Sequence, residues 1–580
     1  MKKKFRVLSF LLVFVLLLAS CKSAVNGTFE GKARGHNGEV VLDVNFENSK
    51  IKKKVTLKES VETDDVGKIA IEKLLEKVNS GNYNLDEITG ATYSSKAFIN
   101  ALADAIQKAG LDYKKILNNN LKLNEKYEVK EINVDVVVVG SGGAGLISAI
   151  KAKEAGANVV VLEKLPLIGG NTLISGAEYA APMNWLQEKD NISDSVELFK
   201  KDVEKAGGDK ELIDVLAKNA LDGAKWLKDD IKVEWTDELM FFGGHSVKRS
   251  LIPKGQSGKE LINKLHAKTE ELGIEILTET NAYELIVKDN VVTGVKAKTK
   301  NGELIVNAKS VILTTGGFGA NKKMLNDNDK EIDDKILSTN SPGSTGDGIK
   351  MAQKIGADVV DLDKIQLYPV CDVETGKLLY TGDTRLVGGA ILVNKEGKRF
   401  VEELGTRREI SLGIKSQTDS IAYQIWDEDS MQKSKILPTH EIEYNNLIEG
   451  KKLCKVNSID EMAEFFGIDK NNLKETIKKF NEDSENGKDT LFNLRRLGFK
   501  IEKAPFYCLK AVPAVHHTMG GLRINKDANV LDKNGNIIKG LYAAGETTGG
   551  IHGNNRLGSV SITDITVFGI IAGINAAKNK

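Results

Sequence analysis

Cysteine is scarce in this 580-residue chain: Cys21, Cys371, Cys454 and Cys508 are all there is, and they lie far apart. None forms CxxC or CxxCH, so the sequence offers no haem, zinc or iron–sulfur site. Nor is there an excess of one charge. The 82 basic and 81 acidic residues leave a formal net charge of +1, which removes the bulk electrostatic case for nucleic acid. Past residue 21, no stretch reads as long and apolar enough to span a bilayer. A second GxGxxG is also missing, and with no CxxC this disfavours a nicotinamide-dependent flavin disulfide reductase. Apolar content is ordinary for a soluble protein, and a chain of this length is too long for one core, so several domains are expected.

The chain opens with Lys2, Lys3, Lys4 and Arg6, followed by the apolar run Val7–Leu18. That run is short for a membrane span, and residues 1–20 read as a signal peptide. Leu18-Ala19-Ser20-Cys21 resembles a bacterial lipobox. The resemblance implies a lipidated Cys21 as the mature N-terminus, anchored to the cell membrane on its extracytoplasmic face. An ordinary signal peptide is the alternative, and both imply export.

The strongest signal runs from Val134 to Thr172. Val136–Val139 is a β-branched run suited to a buried parallel strand. Gly140-Ser141-Gly142-Gly143-Ala144-Gly145 follows at once, then helical spacing to Gly156, then a strand, Val159–Leu162, ending at Glu163. Strand, glycine turn, helix, strand and acid at this spacing are what a dinucleotide fold needs. Gly140 permits the tight turn, Gly142 the approach of backbone amides to a pyrophosphate, and Gly145 close helix packing; Glu163 is placed for ribose hydroxyls. Gly169-Gly170-Asn171-Thr172 comes next. Near the C-terminus Gly540–Glu546 again ends a strand in glycine and an acid, as for the second part of an extended cofactor.

Residues 25–117 read as a separate α+β unit, with strands at Gly27–Gly31 and Glu39–Phe46, a helix at Val66–Val78, and a second helix through Phe98, Leu102 and Ile106. Between the helices stands Asp86-Glu-Ile-Thr-Gly-Ala-Thr92. By spacing alone this is equally a turn and an N-cap, with Ser94 or Ser95 capping. The segment resembles the flavinylation motif of FMN-binding domains, which implies FMN attached through its phosphate to Thr92 by a flavin transferase. Residues 118–131 read as a polar linker.

Gly140–Thr172, Thr314–Gly319 and Gly540–Leu557 together resemble the FAD-binding domain of the soluble fumarate reductase and succinate dehydrogenase flavoproteins. The expected fold is therefore α/β: a Rossmann-like FAD domain in two parts, residues 132–363 and 513–580, with an inserted α+β lid over 364–512. FAD is the expected cofactor, held by Gly140, Gly142, Gly145, Glu163, Gly170, Asn171, Thr172, Gly316, Asp347 and Glu546. Ala282–Val287, Val291–Lys298 and Glu303–Ala308 read as a three-strand meander and Ser310–Thr315 as a further buried strand. His245, in a loop, reads as surface filler, with a ligand as the alternative.

The same resemblance assigns Arg407 as proton donor and His517 and Arg556 as the grip on a carboxylate. Read singly, Arg407 is equally one of a solvated pair with Arg408, His517 half of a strand-end pair with His516, and Arg556 a salt-bridge partner. The departures from the family carry more. Tyr368-Pro369-Val370 stands for His-Pro-Thr, Gly382-Asp383 for Thr-Glu, and Leu386, beside Arg385, for an arginine of the proton path. Fumarate is a dianion and wants donors at both ends, whereas Tyr368 and Asp383 suit a ring that donates hydrogen bonds. The pair resembles that of the urocanate-reducing members of the family, which also carry an FMN-binding domain. The expectation is a reductase of an α,β-unsaturated carboxylate. Electrons would pass from a membrane donor, a quinol or a cytochrome or flavin carrier, through FMN to FAD. Fumarate, cinnamate or acrylate is the alternative substrate, and a non-catalytic electron carrier the alternative of another class.

Overall fold

The computed structural model describes residues 24–35, 39–60, 66–86, 88, 91–117, 128–299, 302–387, 389–495, 497 and 499–579. Leu18–Cys21, the segment that resembles a lipobox, lies outside them. Two units divide between Asn124 and Glu125.

In the first unit, β1 (Gly27–Arg34), β2 (Glu39–Glu47) and β3 (Lys50–Ser60) form an antiparallel meander. Val40, Leu42, Val44 and Phe46 of β2 are buried, the period of two expected of a sheet with one covered face. The third strand, with its lysines, is not evident in the sequence. Helices α1 (Val66–Asn79) and α2 (Thr92–Lys108) and a short helix at Tyr113–Leu117 complete the unit. In α2, Ala97, Phe98, Ala101, Leu102, Ala105 and Ile106 are buried, an apolar stripe at helical spacing. Ser94 and Ser95 fall inside this helix, whose N-cap is Ala91. The Ser95 hydroxyl instead accepts the Ile88 amide at 3.0 Å. Thr92 opens α2; its side chain, with Glu87, Thr89 and Gly90, lies outside the described residues.

The second unit is built on β4 (Glu128–Val139), α3 (Gly143–Glu154), β5 (Val159–Leu162), β6 (Glu275–Leu277), β7 (Asn281–Lys288), β8 (Val291–Thr299) and β9 (Gly302–Leu313). The sheet order is β7-β8-β9-β4-β5-β6. β4, β5 and β6 run parallel, with Val136–Val139 of β4 and the whole of β5 buried, and β7–β9 is the antiparallel meander. β4 begins within the stretch read as linker. The meander's last strand and the strand expected at Ser310 are one: β9 pairs antiparallel with β8 and parallel with β4 from Gly302↔Glu128 to Leu313↔Val139. One extended strand can serve both because each of its edges carries its own ladder.

Helix α4 (Asp347–Lys354) precedes a second sheet. Its strands are β10 (Ile365–Cys371), β11 (Ile391–Val393), β12 (Ala422–Trp426), β13 (Leu453–Val456) and β14 (Phe506–Thr518), with the two-residue strand Leu337–Ser338 parallel to β14. The start of β14 lies between β12 and β13, and its far end pairs with β10. Helices α5 (Arg407–Lys415) and α6 (Ile436–Glu449) belong to this region. Leu367 and Val515 are buried in the dinucleotide-fold core, whereas Tyr368 and Ala514 join a second cluster with Trp426 and Tyr507. The boundary placed at 512 thus falls inside a strand whose alternate side chains serve two cores.

β15 (Ile537–Ala543) returns to the first sheet beside β9, and the last helix, α7 (Val560–Ala577), follows it. By length and composition alone α7 qualifies as a membrane span, contrary to the sequence reading. Most of it is buried, and it lies on α3, where the Ser148 hydroxyl donates to the Gly569 carbonyl at 3.0 Å. A helix apolar all round is what a core position requires.

Candidate active site

The glycine turn after β4 leaves little room. Gly140 has φ 104°, and a Cβ there would lie 2.4 Å from the Thr314 carbonyl oxygen; at Gly145 it would lie 1.9 Å from that of Gly140. Three other glycines meet almost nothing. A Cβ on Gly142, Gly170 or Gly316 would find its nearest neighbour at 3.9, 3.8 and 3.6 Å. Their bare backbone borders open space beside the N-terminus of α3, as a pyrophosphate and an isoalloxazine ring require. The surrounding side chains are already oriented. Glu163 accepts from the Ser141 amide and hydroxyl at 3.0 and 2.7 Å and from the Leu165 amide at 2.8 Å. Thr172 accepts the Gly143 amide. Asn171 joins Asn340, the Ser341 amide and Glu546, and Glu546 also accepts from the Thr518 amide. Burial opposes ionisation of Asp347, but the hydrogen bond and charge of Lys164, 2.5 Å away, outweigh it and hold its carboxyl low. The residues fit FAD.

The pairing of β10 with β14 assembles the second half of the site. Gln366 faces His517, but the next pair is Leu367 with Val515. His516 is therefore the extra residue of a β-bulge, a device that re-aims side chains near active sites. Adjacent histidines on a regular strand would point to opposite faces. Here the His516 ring lies 5.4 Å from that of Tyr368, and the His517 ring 5.5 Å from that of His552. His552 is tied to Asp564 of α7 at 3.1 Å.

Arg407 and Arg556 converge on one acceptor. Gln366 Oε1 takes Arg407 Nη1 at 3.2 Å and Arg556 Nη2 at 2.9 Å. Thr406 caps α5 in a reciprocal arrangement with Glu409, which sets Arg407 at the helix start, its guanidinium 4.9 Å over the Tyr368 ring. Arg408 turns away to Asp329 and Glu331, so the two arginines are not a solvated pair. Burial and the like charge of Arg407 bring the Arg556 pKa down to about 9. Burial and Arg556 hold His517 well below the usual imidazole range. Among the described residues, Arg556 Nε and His517 Nε2 are buried without a hydrogen-bond partner. Unpaired buried donors and acceptors are costly, and both are what a bound carboxylate would satisfy.

Acidic groups lie beside these cations. Tyr368 donates its hydroxyl to Asp383 at 2.6 Å. Burial pushes the Asp383 carboxyl up, against Tyr368, Arg385, Arg407 and His440. Arg385 is buried and bound to the Glu403 carbonyl at 2.8 Å, whereas Leu386 is 43% exposed. The inward cation is thus one residue before the position the family pattern indicated. Glu178 went unnoticed in the sequence. It follows the glycine-rich segment, folds back over Gly176, and interacts with Asp383, Arg556 and Arg407; burial raises its pKa. Its only sequence signal is its place shortly after Gly169–Thr172. Gln366, quoted only as part of a motif, is the hub between the arginines. His245 is buried rather than surface filler, its Nε2 2.9 Å from the Gly558 carbonyl oxygen.

A nucleotide-cradling turn joined to a carboxylate-sized cluster of cations defines an FAD-dependent oxidoreductase. Residues 135–562 match the FAD binding domain family and residues 35–107 the FMN-binding domain family. The chain is 44% identical over 555 residues to a urocanate reductase of Eggerthella lenta, covering 94% of this chain and 91% of that protein. It is 38% identical over 454 residues to a fumarate reductase (cytochrome) of Shewanella frigidimarina, covering 77% of each. The open conformation of a flavocytochrome c3 fumarate reductase matches with a TM-score of 0.70 at 36% identity over 81% of each chain. The chain belongs to the urocanate and fumarate reductase flavoprotein family, with an FMN-binding domain ahead of its FAD-binding domain.

Proposed function

We propose that this protein reduces the C=C bond of urocanate to give imidazolepropionate. The observation that supports it is that one site joins two sets of side chains of opposite character. Arg407 and Arg556 converge on Gln366, which faces His517, and beside them Tyr368 donates to Asp383, with Glu178 interacting with both sets. Urocanate carries one carboxylate and an imidazole, whose pKa is about 6.5 and whose N–H donates to a carboxylate. Fumarate would bring a second carboxylate against Asp383 and Glu178, a like-charge contact that is costly when desolvated.

The flavin, when bound in the glycine cradle, supplies the hydride for the carbon β to the substrate carboxylate. Arg556 and His517 hold that carboxylate and stabilise the negative charge that develops on it. Arg407 gives a proton to the α carbon. A guanidinium is a weak acid, but a developing carbanion is more basic still. Gln366 keeps the two guanidinium groups aimed at the same point. Tyr368 and Asp383 orient the ring.

The remaining parts of the reading follow from the sequence. FMN is attached to Thr92, Cys21 is lipidated at the extracytoplasmic membrane face, and a membrane quinol or a cytochrome or flavin carrier supplies electrons. The deciding experiment is a steady-state screen of urocanate, fumarate, cinnamate and acrylate with reduced viologen. Urocanate should have much the highest kcat/KM; equal turnover of fumarate would make this a general enoate or fumarate reductase. Denaturation should release FAD and leave FMN on the chain. Thr92→Ala should lose the retained FMN yet keep viologen-driven activity. FMN still held by the denatured variant would sink the Thr92 assignment.

A further inference from the structure

β13 and β14 are antiparallel, and their register sets Cys454 directly opposite Cys508. Pairs in such a ladder alternate between hydrogen-bonded and non-hydrogen-bonded types. The Lys510 amide donates to the Lys452 carbonyl at 2.9 Å. Two residues along, Cys454 and Cys508 are therefore a hydrogen-bonded pair as well, with Cα atoms about 5.5 Å apart. Disulfides span Cα distances of about 4.4–6.8 Å. Cross-strand partners point to the same face of a sheet, and both cysteines sit in one apolar cluster with Ile425, Met462 and Phe480. The two thiols also interact side chain to side chain. Cys371 lies in a different cluster.

We propose that Cys454 and Cys508 form a reversible cross-strand disulfide that staples β13 to β14. Two S–H bonds are lost and one S–S bond forms. The two electrons and two protons pass to a disulfide acceptor, which is cleaved to two thiols. Access comes through β13, a four-residue strand whose partner among the described residues is β14; short edge segments open locally without global unfolding. Closing the bond draws the Cβ atoms to about 3.8 Å from a wider spacing, and such displaced geometry makes a bond easier to reduce. The staple ties the edge of the second sheet to the strand that continues to His516 and His517.

The test equilibrates the full-length flavin-loaded protein with graded ratios of reduced to oxidised glutathione. Acid quenching, denaturation, alkylation and peptide mass mapping follow. At oxidising ratios a cross-linked peptide pair containing Cys454 and Cys508, lighter by two hydrogens, should appear, while Cys371 remains alkylated. Thermal unfolding of the oxidised protein should shift upward. Cys454→Ser and Cys508→Ser should each lose the cross-link and the shift while keeping wild-type turnover. Alkylation of both cysteines at every ratio, a mixed glutathione disulfide in place of the cross-link, or a cross-link to Cys371 would each overturn the proposal.

Discussion

Two clusters of buried charge in the same unit have been resolved in opposite ways. Around Arg249 every contact closes. Its Nε and Nη2 donate to Asp194 at 2.9 Å each, and its Nη1 to Asp202 at 2.8 Å. Asp202 also accepts from the Ser246 amide and hydroxyl. Burial opposes its ionisation, yet Lys205, Ser246 and Arg249 hold its pKa at about 2. Around Arg556 the contacts stay open. Two guanidinium groups share one neutral acceptor, and Arg556 Nε and His517 Nε2 face no protein partner among the described residues. A buried charge matched by the protein's own groups is scaffold. One left unmatched, against a like charge, is stabilised only when a ligand of opposite sign arrives.

The comparison can be broken most forcefully at Arg407. Arg407→Ala should lower kcat by ~10²–10⁴-fold, the range for a lost general acid, while absorbance shows FAD still bound. Arg407→Lys should rescue only in part, because an ammonium lacks the planar fork. Near-normal turnover in both variants would rule out the role.

The two clusters should respond differently to loss of their central arginine. Arg249→Ala leaves Asp194 buried without its cation and Asp202 with Lys205 alone, so urea unfolding should show a loss of ~3–5 kcal/mol. Arg556→Ala removes a cation whose hydrogen-bond acceptors among the described residues are all neutral and should leave the urea midpoint nearly unchanged while substrate binding collapses. Equal destabilisation by both would erase the distinction drawn here.

Among the acidic groups, Asp383→Asn should cut kcat/KM for urocanate by about 10-fold, the value of one hydrogen bond to a charged group. Acrylate, which has no ring, should lose less. Tyr368→His with Asp383→Glu should move preference towards fumarate, incompletely because Leu386 remains. Unchanged urocanate kinetics in Asp383→Asn would count against ring recognition.

The smallest effect concerns pH. The folded pKa of Asp202 is depressed to about 2, below the ordinary value of about 3.9. Its contribution to stability is therefore present above about pH 4 and fades as pH falls towards 2. Asp202→Asn should flatten the urea-midpoint profile across that window. An unchanged slope would show that Asp202 is not part of the acid response.

Much of this was legible in one dimension because it depends on local spacing. A glycine turn between a β-branched strand and a helix, closed by Glu163, needs neighbours only a few residues away. So does the alternation of Val40, Leu42, Val44 and Phe46. Arg407, His517 and Arg556 were reached through family motifs, not through spacing, and the geometry then placed Arg407 and Arg556 on one acceptor, with His517 paired opposite it.

What escaped depends on long-range contact. Nothing local in Phe241–Ser246 shows that His245 will bond a carbonyl contributed by Gly558, nor that Leu386 will face solvent while Arg385 faces in. The third strand of the first unit, rich in lysine, has too weak an alternation to declare itself. Composition alone cannot separate α7 from a membrane span, since a core helix and a lipid-facing helix both have to be apolar on all sides.

The sequence by itself determined the dinucleotide fold through local spacing, and the two flavins and the order of their domains through contiguous motifs that resemble those of known families. Only the tertiary structure decided the polarity of the site. That required a β-bulge to turn His516 and His517 to useful positions, a glutamine to hold two arginines together, and Glu178 to arrive beside Asp383 from the far side of the chain. Like charges are brought together and desolvated only by the packing of distant elements, and no pattern along the chain encodes that cost.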